Sequence, residues 1–287
     1  MKQNNKKGWQ KVVGIIVLLI GAGLFCLQLG YLYVQSNYQM AYIDHRLFYF
    51  INIACMICLL LAILLLLSTT KKFNLISTGI TVLFIAAQLI MLSGSNQLVK
   101  SVTMLSPDKK HVLAIKEDLQ TNEVVYYRPY FGIFARAQER LPASVAGELK
   151  VEWLANDIAA VTYQTIGKSN RQFIATYGDR GGRTSYYQVG AQIHGTWQGE
   201  NVELISDPEG ITITTDGETE HFNWENTQQF GTLAIILEKD NEAAWTISLD
   251  ENFEVTSDMT QYTDENITLY RATMDDNEPV KLQRQSE

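Results

Sequence analysis

Three uncharged apolar segments, Val12–Val34, Leu47–Ser68 and Asn74–Gly94, fill the first third of the chain, and nothing comparable follows them. An α-helix rises about 1.5 Å per residue, so about 20 apolar residues cross a hydrocarbon core about 30 Å thick. Each segment meets that length. The expected fold class is therefore a membrane α-helical module of three transmembrane helices, followed by a part of different character. The mean hydropathy of −0.05 is the average of these two unlike parts.

The short flanks predict an orientation. Lys2, Lys6, Lys7 and Lys11 precede the first span and Lys71 and Lys72 separate the second from the third, while the loop between the first two holds only Asp44, His45 and Arg46. Positive charge marks the cytoplasmic side. Residues 1–11 are then a cytoplasmic N-terminus, residues 12–94 the transmembrane module, and the rest an extracytoplasmic domain. Tyr31, Tyr33, Tyr42, Phe48, Tyr49 and Phe50 gather at the outer boundary, with Trp9 and Phe73 at the inner one, as an aromatic belt would. The first span is too long for a signal-peptide core. Phe25 before Cys26 is too bulky for a lipoprotein cleavage site.

All three cysteines, Cys26, Cys55 and Cys58, lie in the spans, so the outer domain holds no disulfide. That composition points to a bacterial cell envelope rather than a secreted, bridge-stabilised domain. The Cys55–Cys58 spacing matches a redox or metal motif, but thiols in lipid lack what stabilises a thiolate, and they read as apolar filler. The lone sequon Asn266-Ile267-Thr268 is a pattern common by chance.

No span contains a charge, which argues against ion-coupled transport. Gln28, Asn52 and Gln88 lie six, five and six residues from the outer ends of their spans, a common depth of about 8–9 Å at helical rise. Amides in hydrocarbon seek partners, so the three are expected to form an interhelical polar layer. Ala22, Cys26 and Gly30 form a small-residue stripe suited to close helix packing.

Beyond residue 100 the sequence alternates with period two and is punctuated by turns such as Ser106-Pro107-Asp108, Asp207-Pro208-Glu209-Gly210 and Asp216-Gly217. Twelve segments, from His111–Glu117 to Ile267–Arg271, read as strands, and Asp275-Asp276 reads as part of a frayed tail. The expected architecture is an all-β domain, a sandwich or a barrel, with one or two lobes. Ser106-Pro107-Asp108-Lys109-Lys110 and Val151-Glu152-Trp153-Leu154 resemble blade repeats of bacterial β-propellers. Gly195-Thr196-Trp197 resembles the opening strand of lipocalin-type barrels.

Charge divides this region. Residues 100–190 hold 12 Lys/Arg against 9 Asp/Glu, and residues 191–287 hold 4 against 21. A slightly basic lobe and a strongly acidic lobe follow, and the acidic one excludes nucleic acid as a partner. Arg171, Arg180 and Arg183 flank a Gly181-Gly182 turn and form a candidate anion-binding loop.

The chain lacks a complete catalytic constellation. His111, His194 and His221 stand apart from each other, and Ser106-x-x-Lys109 falls on a turn rather than a helix face. No metal or cofactor is expected. The reading is a cell-membrane protein whose outer β domain binds an envelope ligand or polymer, or another membrane protein, as a sensor or accessory subunit. The alternatives are a carboxylate-dependent envelope hydrolase and a transporter accessory subunit.

Overall fold

A computed structural model describes residues 2–178, 188–253 and 265–285, with only the backbone for residues 2–7. The chain forms two compact units, Met1–Thr103 with Ala114–Arg140, and Met104–Leu113 with Leu141–Glu287. The charge change near residue 190 falls inside the second.

The first unit begins with three long apolar helices, α1 (Lys2–Tyr38), α2 (Leu47–Leu66) and α3 (Lys71–Asn96). They make the protein a multi-pass membrane protein by length and composition. Their apolar side chains point outward: Leu83 and Ile90 are 72 % and 73 % exposed, as residues facing acyl chains must be. The Thr70 hydroxyl caps α3 by accepting from Phe73 N at 3.4 Å. The small-residue stripe expected at Ala22, Cys26 and Gly30 faces outward. Close packing uses Gly14 and Gly21 instead, with Gln28 continuing the buried line at seven-residue spacing. A Cβ on Gly21 would stand 3.1 Å from Cys58 Cβ, and Cys55 Sγ donates to Gly21 O at 3.5 Å. The two cysteines of α2 are thus packed against the glycine of α1.

Between α1 and α2 the chain forms a three-residue strand, β1 (Met40–Tyr42). With β2 (Val99–Leu105), β3 (Val112–Asp118), β4 (Glu123–Phe131) and β5 (Phe134–Arg140) it builds a five-stranded curled sheet in the order β1-β5-β4-β3-β2. Its two edge strands are the α1–α2 connection and the segment leaving α3, so both lie on one side of the bundle.

The second unit starts its regular structure with β6 (Val145–Ala155), β7 (Ile158–Thr165) and β8 (Asn170–Thr176), an antiparallel three-stranded sheet. Ile158–Tyr163 are all essentially inaccessible, so β7 is covered on both faces, and its run of small and β-branched residues suits that. A one-turn helix, α4 (Val189–Gln192), follows. Next comes a nine-stranded meander: β9 (Gly195–Gln198), β10 (Val202–Asp207), β11 (Gly210–Thr215), β12 (Glu218–Phe222), β13 (Thr227–Phe230), β14 (Ala234–Lys239), β15 (Glu242–Leu249), β16 (Asn266–Arg271) and β17 (Val280–Arg284). A 3-10 turn, Trp224–Asn226, joins β12 to β13. The order β12-β11-β10-β9-β17-β16-β15-β14-β13 makes it a nearly closed, barrel-like sheet. The expected all-β region is therefore present, as a barrel with accessory sheets rather than propeller blades.

One sequence reading is corrected here. The supposed frayed tail leads into β17, which pairs with both β16 and β9 and joins the two halves of the meander. Val280 and Leu282 point inward while Lys281 and Gln283 point out, the alternation of a half-buried strand. Strands β1 and β13 have only three and four residues, too few to show a period.

Side chains fill the barrel interior. Trp197, Leu204, Ile213, Leu237, Ile247 and Leu269 form one buried cluster, and Trp197 Nε1 donates to Ile193 O at 2.7 Å. At the seam, Glu220 of β12 accepts from Lys239 of β14 at 2.9 Å and from Trp245 Nε1 of β15 at 2.8 Å. These bonds hold its carboxyl below the usual range, that from Trp245 most strongly.

Candidate ligand cavity

Because the barrel core is filled, open space lies at its rim. A cavity of about 470 Å³ opens between α4, the β10–β11 turn and the 3-10 turn. The half-buried Trp224 forms one side, with Gln188, His194, Asp207, Thr227 and Gln229 around it. Local sequence builds this wall. Trp224 Nε1 donates to Asp207 O at 3.0 Å, and the indole lies against Gly190, where a Cβ would come within 2.5 Å of the ring. Gln229 Oε1 accepts from Val189 N at 3.0 Å, tying β13 to the start of α4. Asp207 Oδ1 accepts from Glu209 N and Gly210 N at 2.9 and 3.1 Å, which sets the turn. The lining is one large aromatic edge with amide, hydroxyl, imidazole and carboxylate groups.

Two further hollows in this unit hold internal pairs. In one of about 450 Å³, Arg271 lies 5.5 Å above the Trp245 ring. Beside it, Lys150 donates to Thr273 O at 3.2 Å and also contacts Asp275 O and Asn277 Oδ1. The other, of about 500 Å³, contains Asp250 bound to Lys281 at 3.0 Å. The buried Glu265 pairs with Arg284 at 3.6 Å. These carboxylates are matched by bases, and among the described residues no three His, Cys, Asp or Glu side chains converge as a metal cage requires.

The sequence-selected residues are placed as follows. Asn52 Nδ2 donates to Gln88 Oε1 at 3.4 Å, joining α2 to α3. Gln28 turns elsewhere: its amide donates to Phe48 O at 2.9 Å and accepts from Tyr42 OH at 3.2 Å. Arg171 pairs with Glu238 at 3.2 Å, while Arg180 and Arg183 lie outside the described residues. Ser106 Oγ donates to Asp108 Oδ1 at 2.6 Å and accepts from His111 N at 3.0 Å. Lys109 occupies a left-handed turn at φ 63. The Ser-x-x-Lys match is therefore a turn, and its hydrogen bond from Ser106 draws the Asp108 carboxyl down to about 2.

Sequence reasoning missed a polar group in the membrane unit. Lys116 of β3 is largely buried, donates to Tyr42 O at 2.6 Å and lies 4.5 Å above the Tyr127 ring. Burial pushes its ammonium down to about 8, against the opposing pull of Asp44. Tyr42 is pushed up to about 12 by burial and by Tyr31. Tyr31, Tyr42 and Phe134 stack with centroids 4.1 and 5.2 Å apart along the series.

Compared with protein-family models, curated protein sequences and solved structures, the chain matches none of them. The class rests on the fold itself: a three-helix membrane protein carrying an all-β region with a curled sheet and a barrel-like sheet.

Proposed function

We propose that this is a membrane-anchored binding protein of the bacterial envelope, a sensor or accessory subunit whose β domain lies outside the cell membrane. The lysine-rich flanks around Lys2–Lys11 and Lys71-Lys72 support that orientation. The observation that carries the binding reading is the rim cavity beside Trp224. An indole among hydrogen-bonding side chains suits a small, uncharged, polyhydroxylated ligand such as a segment of envelope glycan. The ring covers apolar C–H faces while amides and hydroxyls meet hydroxyl groups. Among the described residues the rim cavity is lined by a single carboxylate, Asp207, whose Oδ1 is taken up by two backbone amides, and this favours binding over a two-carboxylate hydrolase, which needs an acid and a base free to act.

The test is titration of the full chain in detergent with N-acetylglucosamine oligosaccharides, read by tryptophan fluorescence and calorimetry. Binding that is lost in Trp224→Ala and weakened in His194→Ala, with unchanged melting, supports the reading. Equal binding by both variants, or none by the native chain to any oligosaccharide tested, overturns it.

A further inference from the structure

We propose that the β4–β5 hairpin of the membrane unit is a lipid-interface anchor. Its aromatic tip enters the bilayer interface beside α2, and Arg128 and Arg136 hold a phospholipid headgroup phosphate.

The level of the tip follows from its neighbours. Gln28 lies ten residues before the end of α1 at Tyr38, about 15 Å down the helix at 1.5 Å per residue. Tyr42 at the end of β1 hydrogen-bonds Gln28 and stacks on Tyr31, so β1 runs back down α1 towards the hydrocarbon. The same Gln28 amide binds Phe48 O in the first turn of α2, so this level is where α2 starts. Strand β5 follows β1 in register, Met40 opposite Arg136 and Tyr42 opposite Phe134, and Ile43 N donates to Ile133 O at 2.9 Å. The tip of the hairpin is therefore at the membrane end of the sheet, beside the first turn of an apolar span.

The tip has the composition such a position needs. Tyr130 and Phe131 are 71 % and 76 % exposed and Ile133 is exposed beside them. Large aromatics left unburied at this level are what an interfacial belt uses. Two residues up β5 from Phe134, about 7 Å at strand rise, stands Arg136, directly opposite Arg128 of β4. Both side chains are exposed. Like charges facing across a ladder destabilise it, and among the described residues neither arginine has an ion-pair partner. At the far end of the same hairpin Arg140 is paired with Glu123 at 3.5 Å. Among the described residues, the arginine pair nearest the membrane is the one in this hairpin that has no ion-pair partner. A guanidinium pair one headgroup height above an aromatic tip is complementary to a phosphodiester and draws anionic lipid over zwitterionic lipid.

The test uses the full chain in nanodiscs of equal phosphatidylglycerol and phosphatidylcholine. In Phe131→Trp, the added indole is expected to be quenched by phospholipids brominated near the glycerol end of the acyl chain, beyond the quenching of the native tryptophans. Native mass spectrometry is expected to find phosphatidylglycerol enriched on the native protein and its preference reduced roughly tenfold in R128Q/R136Q. Circular dichroism melting of each variant confirms an intact fold. An added indole that bromine does not quench overturns the proposal. So does a lipid preference that survives loss of both arginines.

Discussion

Lys116 gives the sharpest quantitative prediction. It is a cation enclosed by the Tyr42 carbonyl at 2.6 Å and the Tyr127 ring at 4.5 Å, with Asp44 as the favourable charge near it. Burial lowers its pKa from the usual 10.5 to about 8. That difference corresponds to about 3 kcal/mol by which charging Lys116 is harder in the folded protein. Below pH 8 the lysine is charged in both states and the full penalty opposes folding. Between about 8 and 10.5 the folded protein releases the proton while the unfolded chain keeps it. The unfolded state then binds more protons, so the lysine's contribution to stability rises with pH across that window and levels off above it. Tyr42, pushed up to about 12, keeps its phenol proton across this window, and burial pushes Tyr127 up as well.

The assay compares the native chain with Lys116→Met in one detergent, melted from pH 7 to pH 10.5 and followed by near-ultraviolet circular dichroism. Groups common to both proteins cancel in the difference. The Met variant loses the Tyr42 hydrogen bond at every pH, so the offset at pH 7 is not diagnostic. The slope is. The difference should move towards the native chain by about 3 kcal/mol over the window. Parallel pH curves for the two proteins would refute the argument.

Three other outcomes are expected. Gln28→Leu should cost roughly 1–3 kcal/mol, because it strips partners from both Phe48 O and Tyr42 OH. Gln88→Leu, which removes a single 3.4 Å bond, should cost under about 1 kcal/mol, and detergent melts giving the reverse order would contradict this geometry. Glu220→Gln should loosen the barrel seam, seen as faster hydrogen exchange in β12 and β15. Since the native carboxyl is held low, its advantage should be full at neutral pH and fade as pH falls through the acid range; a pH-independent gap would count against it. Gly210→Ala places a Cβ 2.2 Å from Phe222 O at φ +153 and should cost more than about 2 kcal/mol. Gly217→Ala, strained at φ +86 but with nothing within 4 Å, should cost about 1 kcal/mol, and chemical denaturation ranks the pair.

The helices were legible because apolar length alone decides them, and most strands because alternation survives over five residues or more. What escaped the sequence is non-local. Residues 114–140 join the membrane unit because β5 pairs with three residues between two spans, Met40–Tyr42, whose own pattern carries no signal. β17 does alternate, but its acidic neighbours Asp275, Asp276 and Glu278 masked it. The cavity beside Trp224 is assembled from α4, the β10–β11 turn and the 3-10 turn, which meet only once β13 and β14 are in place. Gln28 was legible as a polar group needing a partner. Its partners were not, because Tyr42 lies outside any span and Phe48 offers only its backbone carbonyl.

The aromatic residues near the outer ends of the spans form two populations with opposite roles. α1 has 37 residues and α2 has 20, and α2 begins at the level of Gln28, so the last ten residues of α1 overhang the bundle. An overhanging helix needs something to bury its inner face, and β1 supplies it by folding back. Tyr31, Tyr42, Phe48 and Phe134 are consumed there as a packed ring stack. Tyr33 and Tyr38 on the outer face stay 63 % and 59 % exposed. In the sequence Tyr31, Tyr33, Tyr42 and Phe48 are the same belt signal, since residue type and depth do not distinguish a ring facing lipid from one facing a strand. The difference in helix length does, because it creates the surface on which the sheet is built.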